Sequence, residues 1–198
     1  MKKQKVISNC SNTLDGPLIL QPDVFSDERG FFFESWNRRN FHEITFKKND
    51  FVQDNHSLSA YGVLRGLHFQ INPKAQSKLI RCIRGEIFDV IVDLRSQSAS
   101  YGDWAGVKLD SVESKQLWIP SGFAHGFLVM SNEAEIIYKV SDYWDSKYER
   151  VLQWNDTDLG INWPLDIQPK ISFKDSNGLS WRQVKEFNYF QNSRNYTI

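Results

Sequence analysis

The sequence predicts an all-β fold in which many short antiparallel strands form a sandwich or barrel. Short runs of β-branched and aromatic residues recur along the chain, and Gly, Pro, Asn, Asp and Ser separate them. Segment 86–94 shows the strand period best, because every second residue from Phe88 onward is apolar. The opposite face of this strand places Asp89 and Asp93 among isoleucines. A mixed face of this kind is expected when the interior of a barrel holds a polar ligand.

Ten strands are predicted in chain order, each of them bounded by turn residues. They cover residues 17–20, 31–34, 51–57, 63–69, 78–84, 86–94, 104–109, 115–119, 126–130 and 135–140. Helical periodicity is scarce and predicts two short helices. The first covers 37–46 and the second 180–191, where Trp181, Val184 and Phe187 recur at helical spacing.

The balance of charge argues against a dedicated nucleic-acid-binding protein. Lys and Arg total 24, Asp and Glu total 24, and the formal net charge is +0 over 198 residues, whereas such proteins carry a basic excess. The longest apolar run, 127–130, is far shorter than the roughly 18 residues of a membrane span, and no signal-peptide core follows the N-terminus. Cys10 and Cys82 fit neither a disulfide framework nor a zinc pattern. We therefore expect a soluble, cytoplasmic protein with no nucleic-acid or membrane partner.

His68 lies in the predicted strand 63–69 together with Arg65, and strict alternation would place these two side chains on opposite faces. Gly66 lies between them and could supply a β-bulge that lets both side chains converge. The alternative for His68 is a buried ring whose hydrogen bond to a neighbouring carbonyl is purely structural.

A second histidine lies in the pattern Pro120-x-Gly122-x-x-His125, which leads into a predicted strand. This pattern resembles the second metal-binding motif of the cupin superfamily. The first cupin motif needs a His-x-His pair, whereas the matching place here has His68 and then Gln70. A catalytic metal normally needs at least three protein ligands, so we expect a cupin-like barrel without a metal. A metal-dependent cupin dioxygenase or isomerase is disfavoured for the same reason.

Three further side chains could take part in chemistry, and each has a plainer alternative. Lys78 begins the strand after His68, where it could approach the imidazole or remain a solvated lysine on an edge strand. Arg29 lies in a polar turn that is either a surface loop or a phosphate contact. Tyr138 is a strand tyrosine, and such residues usually pack in the core with the hydroxyl at its rim.

Seven sequence blocks occur in an order and spacing that resemble the dTDP-4-dehydrorhamnose 3,5-epimerase family over about residues 17–175. The blocks are DERGFFFE at 27–34, FVQDNHS at 51–57, LRGLHFQ at 64–70, KLIRC at 78–82, GEIFDV at 85–90, WIP at 118–120 and GFAHGF at 122–127. The resemblance implies a cupin-type double-stranded β-helix, or jelly roll, with short flanking helices. It also implies a homodimer, no metal and no organic cofactor. A single domain would cover residues 1–198, with 176–198 as a variable C-terminal tail.

The resemblance implies that the substrate is dTDP-4-dehydro-6-deoxy-D-glucose, whose C4 ketone acidifies the hydrogens at C3 and C5. Epimerisation at both carbons would give dTDP-4-dehydro-L-rhamnose, in the biosynthesis of dTDP-L-rhamnose. Such a reaction needs a base, an acid on the opposite face and a group that stabilises the enolate oxygen. The family pattern assigns these roles to His68, Tyr138 and Lys78 in that order, with Asp175 orienting the histidine.

Further positions match residues that bind substrate in the family: Arg29, Glu34, Gln53, Asn55, Arg65, His125, Glu149 and Lys174. The resemblance implies that Arg29 and Arg65 contact the diphosphate and that Phe25 packs against the thymine. The family often has two adjacent tyrosines after the strand of Tyr138, whereas this chain has Tyr143 and Trp144. We therefore expect the rim of the pocket to differ.

Two other functions remain open at the level of the sequence. A related epimerase that inverts C3 alone would use the same base and much the same pocket. A non-catalytic cupin that binds a sugar nucleotide would keep the fold, since fold alone does not establish activity. The joint presence of His68, Lys78 and Tyr138 weighs against the binding module, and the common architecture of the motifs favours double epimerisation over inversion of C3 alone.

Overall fold

The computed structural model of the chain describes residues 1–46, 50–187 and 189–190. Within this range, thirteen strands form two antiparallel sheets and one separate hairpin, and three short helices accompany them. The strands are β1 (Lys2–Ile7), β2 (Thr13–Gln21), β3 (Phe25–Asp27), β4 (Gly30–Phe32), β5 (Gln53–Ala60), β6 (Leu64–Gln70), β7 (Lys78–Arg84), β8 (Glu86–Asp93), β9 (Trp104–Asp110), β10 (Gln116–Ile119), β11 (Phe123–Val129), β12 (Glu133–Val140) and β13 (Glu149–Val151). The helices are α1 (Arg38–Thr45), α2 (Phe173–Ser176) and α3 (Trp181–Phe187).

The two sheets face each other as the halves of a jelly roll. One has six strands in the order β1-β2-β10-β7-β12-β5, and the other has five in the order β13-β6-β11-β8-β9. All pairings between these strands are antiparallel. The hairpin of β3 and β4 stands apart from both sheets. This architecture confirms the predicted all-β, cupin-type fold.

The apolar core has two main parts, one on each face of the five-stranded sheet. The first part lies between the sheets, where Ile80 and Leu117 of one sheet pack with Ile91 and Phe127 of the other. The second part covers the outer face of the five-stranded sheet and includes Trp163 from the C-terminal region. Strands of this sheet are therefore buried on both faces, which explains their nearly continuous apolar sequences.

Strand β8 confirms the pattern that the sequence predicted for segment 86–94. Its apolar face, which includes Val90 and Val92, packs into the second part of the core. Its mixed face looks into the barrel between the sheets, where Ile91 joins the first part of the core. On that face Asp89 and Asp93 are fully buried. Two carboxylates thus lie inside the barrel, where each of them needs a compensating partner.

Some elements differ from the prediction. Strand β1 was not predicted, because its sequence is rich in lysine and most of its residues are exposed on an edge strand. The predicted strand 31–34 is instead the second arm of the hairpin formed by β3 and β4. The three-residue strand β13 was also missed, since its residues have no alternating pattern.

The helix predicted over 37–46 is confirmed as α1, whose N-terminus is capped by Asn37 accepting from two backbone N–H groups. The helix predicted over 180–191 is found as α3, where Trp181 and Val184 are buried; positions 188 and 191 lie outside the described residues. Helix α2 was not predicted and begins after Ser172, whose hydroxyl caps it. No helix within the described residues is long and apolar enough to cross a membrane.

A β-bulge in β6 confirms the role proposed for Gly66. His68 lies opposite His125 on β11, and Arg65 lies opposite Phe127, so one extra residue is inserted on the β6 side. Arg65 then reaches across the barrel and donates from Nε to the hydroxyl of Ser59 on β5 at 3.0 Å. The bulge therefore lets Arg65 and His68 lie on the same side of β6, although Arg65 itself remains exposed.

Two glycines allow the strands to approach at the bulge. Gly66 has a φ of +113°, and a Cβ there would lie 2.6 Å from the Cα of Gly126. A Cβ at Gly126 would lie 2.5 Å from the carbonyl oxygen of Arg65. Both of these close atoms belong to the backbone. A side chain at either glycine would therefore displace β11 or β6, the strand that carries His68.

We expect Gly126→Ala to lower the free energy of unfolding by about 1–3 kcal/mol, the usual cost of overpacking that shifts backbone. Gly160→Ala is the control for backbone strain without crowding: its φ is +58°, a Cβ there meets no atom closer than 3.9 Å, and the change should cost only the roughly 1 kcal/mol of a left-handed alanine. Urea denaturation of both variants measures the difference. A smaller loss of stability for Gly126→Ala than for Gly160→Ala would contradict the assignment of a tight backbone contact.

Candidate active site

The interior of the barrel contains a cavity of about 220 Å³ between the two sheets. Side chains from strands of both sheets converge on it, together with one residue of the loop before β7 and one of the segment after β12. The lining residues are Gln53, Asn55, His68, Phe69, Gln70, Gln76, Lys78, Tyr138, Trp144 and Glu149. Six residues that the sequence predicted for the site are among them: His68, Lys78, Tyr138, Gln53, Asn55 and Glu149.

His68 forms a close pair with Asp175, as the family resemblance implied. The Nε2 atom of His68 lies 2.6 Å from Oδ1 of Asp175, and the other carboxylate oxygen accepts from the backbone N–H of Gly66 at 3.2 Å. The imidazole is partly open to the cavity, with 29% of its side chain exposed, whereas the Asp175 side chain is 5% exposed. Burial opposes ionisation of Asp175, but the hydrogen bond and charge of His68 outweigh it and hold the pKa of the carboxyl low.

Local structure places Asp175 beside a strand far away in the sequence. Asp175 lies in α2, where its backbone N–H donates to the capping hydroxyl of Ser172 at 3.1 Å. One turn of helix thereby fixes the carboxylate against β6. A carboxylate in this position fixes the orientation of the His68 ring.

Lys78 is a buried lysine at the start of β7, with 7% of its surface exposed. Its ammonium donates to the backbone carbonyl of His68 at 3.2 Å, which places it next to the imidazole. Burial lowers the pKa of the Lys78 amine from 10.5 to about 8, and the charges of Asp89 and Glu149 oppose that change. The alternative of a solvated edge lysine is therefore wrong.

Tyr138 lies on β12 and lines the same cavity as His68. Burial raises the pKa of its phenol, Arg65 opposes that shift and Glu149 adds to it. The hydroxyl is therefore protonated at neutral pH and can donate a proton. The ring also packs against the core between the sheets, so the structural role considered for this tyrosine is present.

His125 is buried on β11, where its Nε2 atom lies 2.9 Å from Oδ2 of Asp89. Burial lowers the pKa of the His125 ring. Glu149 at the cavity edge forms an ion pair with Lys174, whose ammonium lies 3.1 Å from both carboxylate oxygens. These contacts bring two more of the predicted binding residues, His125 and Lys174, to the surroundings of the cavity.

The remaining predicted binding residues lie away from the cavity of their own chain. Phe25 and Arg29 belong to the exposed hairpin of β3 and β4, where the guanidinium of Arg29 pairs with Asp27. Glu34 accepts hydrogen bonds from Asn37 and Asn40 near the start of α1. The structure of one chain therefore does not bring Phe25, Arg29 or Glu34 together with His68.

Sequence reasoning missed three polar residues of this region. Gln76 lines the cavity, and Gln70 fixes its wall by bonding to the backbone of Lys74, Tyr143 and Asp145. Asp89 was noticed on the mixed face of its strand, yet its pairing with His125 was not predicted. Position on the interior face of a barrel strand is the signal that could have found it.

No three His, Cys, Asp or Glu side chains in the described part of the chain converge in a way that could hold a metal ion. The position that would complete a cupin metal motif is Gln70, whose side-chain amide is committed to the backbone contacts above. The cavity instead presents an imidazole backed by a carboxylate, a buried ammonium and a protonated phenol. Such a set can remove a proton from carbon, stabilise the resulting anion and return a proton.

Comparison with known proteins agrees with this chemistry. The family model described as dTDP-4-dehydrorhamnose 3,5-epimerase matches residues 11–183. A dTDP-4-dehydrorhamnose 3,5-epimerase of Shigella flexneri is 53% identical over 161 residues, which are 81% of this chain and 88% of the relative.

Two solved structures are similar over nearly the whole chain. The dTDP-6-deoxy-D-glucose-3,5-epimerase of Legionella pneumophila Philadelphia 1, in complex with dTDP-4-keto-L-rhamnose, is 38% identical with a TM-score of 0.88, covering 96% of this chain and 99% of that chain. A 3′-monoepimerase from Streptomyces bikiniensis, in complex with dTDP-quinovose, is 30% identical with a TM-score of 0.84, covering 89% of each chain. The matched region includes every residue that lines the cavity. The chain belongs to the dTDP-4-dehydrorhamnose 3,5-epimerase family.

Proposed function

We propose that this enzyme converts dTDP-4-dehydro-6-deoxy-D-glucose into dTDP-4-dehydro-L-rhamnose by inverting C3 and C5, a step of dTDP-L-rhamnose biosynthesis. The observation that carries the proposal is one cavity that holds the His68–Asp175 pair, the Lys78 ammonium and the Tyr138 phenol. Membership of the epimerase family supplies the substrate. The C4 ketone makes the neighbouring carbon–hydrogen bonds acidic, so we propose that no metal or organic cofactor takes part.

His68 is the proposed base that removes the proton from C3 and from C5. An imidazole can accept and release protons near neutral pH, and Asp175 at 2.6 Å stabilises the imidazolium that forms. The carboxylate of Asp175 thereby favours removal of the proton by His68. Asp175 itself stays ionised, because its pKa is lowered.

Lys78 is the proposed stabiliser of the enolate. When a proton leaves the carbon, negative charge accumulates on the C4 oxygen, and a cation held nearby lowers the barrier most where water is excluded. The burial of the Lys78 ammonium beside the His68 carbonyl meets that requirement. We expect the ammonium to serve below a pH of about 8, where it is charged.

Tyr138 is the proposed acid that returns a proton from the opposite face of the sugar. Inversion requires two faces, because a proton returned by the base itself restores the original configuration. The phenol lines the cavity from β12, on the sheet opposite the one that carries His68. The raised pKa of the phenol keeps that proton available.

The nucleotide and the diphosphate are proposed to contact residues at and beyond the cavity edge. Within the same chain we assign substrate binding to Gln53, Asn55, Arg65, His125, Glu149 and Lys174. Arg65 is the proposed diphosphate ligand, since a guanidinium matches phosphate oxygens in geometry and charge.

We further propose that the enzyme is a homodimer whose sites are completed by the hairpin of β3 and β4. Strand β5 is an edge of the six-stranded sheet without a neighbour beyond β12 in the described residues, and open edges are usually covered. On the hairpin, Phe25, Phe31 and Phe32 are 67%, 68% and 72% exposed. A partner's hairpin placed along β5 would bury these rings and bring Arg29 beside Gln53 and Asn55.

The two cysteines support the proposed cytoplasmic location. Cys10 is exposed, Cys82 is buried, and neither takes part in a disulfide. Free thiols persist where the compartment is reducing, as the cytoplasm is.

The experiment that tests the proposed function is proton NMR of the dTDP-4-keto sugar with the enzyme in deuterated water. Deuterium incorporation at both C3 and C5 supports the double epimerase. Incorporation at C3 alone would support the rival monoepimerase, to which the Streptomyces bikiniensis structure is the precedent. No incorporation at either carbon would contradict both epimerase assignments.

His68→Ala should reduce exchange at both carbons by about 10²–10⁴-fold, the scale expected when a general base is removed. Affinity for dTDP, measured by calorimetry, should stay close to that of the wild type, because the base acts in the chemical step. His42→Ala on α1 is the matched control and should exchange normally. Near-normal exchange by His68→Ala would show that another group is the base.

Tyr138→Phe should separate proton removal from inversion. The enolate still forms, but it is reprotonated from the side of His68, so deuterium uptake persists while net epimerisation collapses. Uptake and product stereochemistry are measured on one sample, with Tyr61→Phe as a control outside the cavity. Normal epimerisation by Tyr138→Phe would contradict the acid role, and loss of uptake as well would point instead to a role in positioning the substrate.

Mixing two inactive variants tests the composite site. In a hybrid dimer of one His68→Ala chain and one Arg29→Ala chain, each site combines His68 of one chain with Arg29 of the other. One of the two sites therefore carries both substitutions and the other carries neither. Random reassembly of the dimers should therefore restore about a quarter of the wild-type sites. A mixture of His68→Ala with Tyr138→Phe is the control and should restore none, because both residues belong to the cavity of one chain. Failure of the first mixture, with dimers present, would refute the exchange of the hairpin.

A further inference from the structure

Asp89 is a fully buried carboxylate whose hydrogen bonding is incomplete. Its side chain has no exposure to solvent, and Oδ2 lies 2.9 Å from Nε2 of His125. The other oxygen, Oδ1, is buried and has no hydrogen-bond partner among the described residues. A buried carboxylate with an unpaired oxygen is costly unless a nearby positive charge compensates it.

Asp89 and Lys78 belong to one cluster inside the barrel. The Lys78 ammonium donates to the carbonyl of His68, His68 lies opposite His125 on the neighbouring strand, and the His125 ring bonds to Asp89. Asp89 and Lys78 form no contact ion pair within the described residues. Burial raises the pKa of the Asp89 carboxyl, and the charges of His125 and Lys78 oppose that rise. The single hydrogen bond recorded for the ammonium, within the described part of the chain, goes to the carbonyl of His68. Lys78 therefore also depends on long-range compensation to remain charged.

The other titratable groups around Lys78 stabilise its positive charge less directly. Glu149 on β13 is already paired with Lys174 at 3.1 Å. His125 on β11 is neutral because burial lowers its pKa, and Tyr138 on β12 is a neutral phenol because burial raises its pKa. His68 presents its backbone carbonyl to the ammonium, and its ring faces Asp175. Asp89 is thus the anion near Lys78 with no cation bonded to it.

We propose that Asp89 is a positioning residue for the epimerisation: its carboxylate keeps the buried Lys78 ammonium charged and holds the His125 ring by accepting its Nε2–H. This inference rests on the role given to Lys78 in the proposed function. Asp89 itself lies behind the cavity wall and is not among the residues that line the cavity.

The direction of the effect follows from the charges. Burial alone disfavours the ammonium form of Lys78, and the carboxylate of Asp89 acts in the opposite direction, leaving the pKa of the amine at about 8. Replacing the carboxylate by a neutral amide of the same shape removes that support. The pKa of Lys78 should then fall below 8, so the ammonium is lost at a lower pH.

The test compares Asp89→Asn with Asp93→Asn. Asp93 lies on the same face of β8 and is also fully buried, but its partners are Arg95 and Ser100 rather than Lys78. The titration of the Lys78 side chain is followed by the ¹³C shift of its Cε atom, identified by its absence in Lys78→Met. In Asp89→Asn the midpoint should move down by about one pH unit or more, a tenfold change in ammonium fraction. In Asp93→Asn it should not move.

Turnover gives the second readout. In Asp89→Asn the alkaline limb of the kcat profile should shift to lower pH by the same amount as the Lys78 midpoint, with KM changed less than kcat. An unchanged Lys78 midpoint in Asp89→Asn, or an equal shift in Asp93→Asn, would overturn the inference. If the wild-type enzyme does not exchange the hydrogens at C3 and C5, the proposed function is wrong. The Lys78 titration still tests whether Asp89 stabilises the ammonium.

A double variant covers the case in which Asp89→Asn does not fold. Lys78→Met added to Asp89→Asn removes both buried charges, so it should restore folding that the single change abolishes. Where all variants fold, their losses of unfolding free energy should be strongly non-additive, as for coupled neighbours. Absence of rescue, or additive losses, would overturn the pairing of Asp89 with Lys78.

Discussion

The cost of placing ionisable groups inside a closed barrel is the constraint on which this site depends. An ammonium or carboxylate removed from water is unstable unless opposite charge or hydrogen bonds compensate it. Each buried group here has such compensation: Asp175 from His68 on β6, Asp93 from Arg95 just after β8, and Lys78, by our proposal, from Asp89. The charged groups of the cavity therefore form a linked set in which the change of one member alters the others.

The jelly roll provides these partners because its two sheets face each other across one interior. His68 and Glu149 come from the five-stranded sheet, whereas Lys78 and Tyr138 come from the six-stranded sheet. The proposed base and the proposed acid therefore lie on opposite walls of the cavity, as a reaction needs when a proton is removed from one face and returned to the other. The bulge at Gly66 completes the arrangement, since it lets Arg65 lie on the same side of β6 as His68.

Much of this arrangement was predictable, because strand alternation and the position of Gly66 indicate an interior and a bulge. The contact of Asp175 with His68 was not derivable from pattern, since 107 residues separate the two and only the family resemblance joined them. Strand β1 escaped prediction because an edge strand rich in lysine has no apolar face. The pairing of Asp89 with His125 escaped because it depends on the register between β8 and β11, which local sequence does not specify.

The size of the cavity explains why the predicted binding residues divide between the barrel and the hairpin. Pockets that enclose a whole small molecule usually measure about 300–1,000 Å³, whereas this cavity measures about 220 Å³. It is therefore large enough for the reacting sugar but too small for the entire nucleotide sugar. We propose that the diphosphate and thymine extend past the rim, where Trp144 is 56% exposed. The proposed hairpin of a second copy would supply a wall for that part of the substrate.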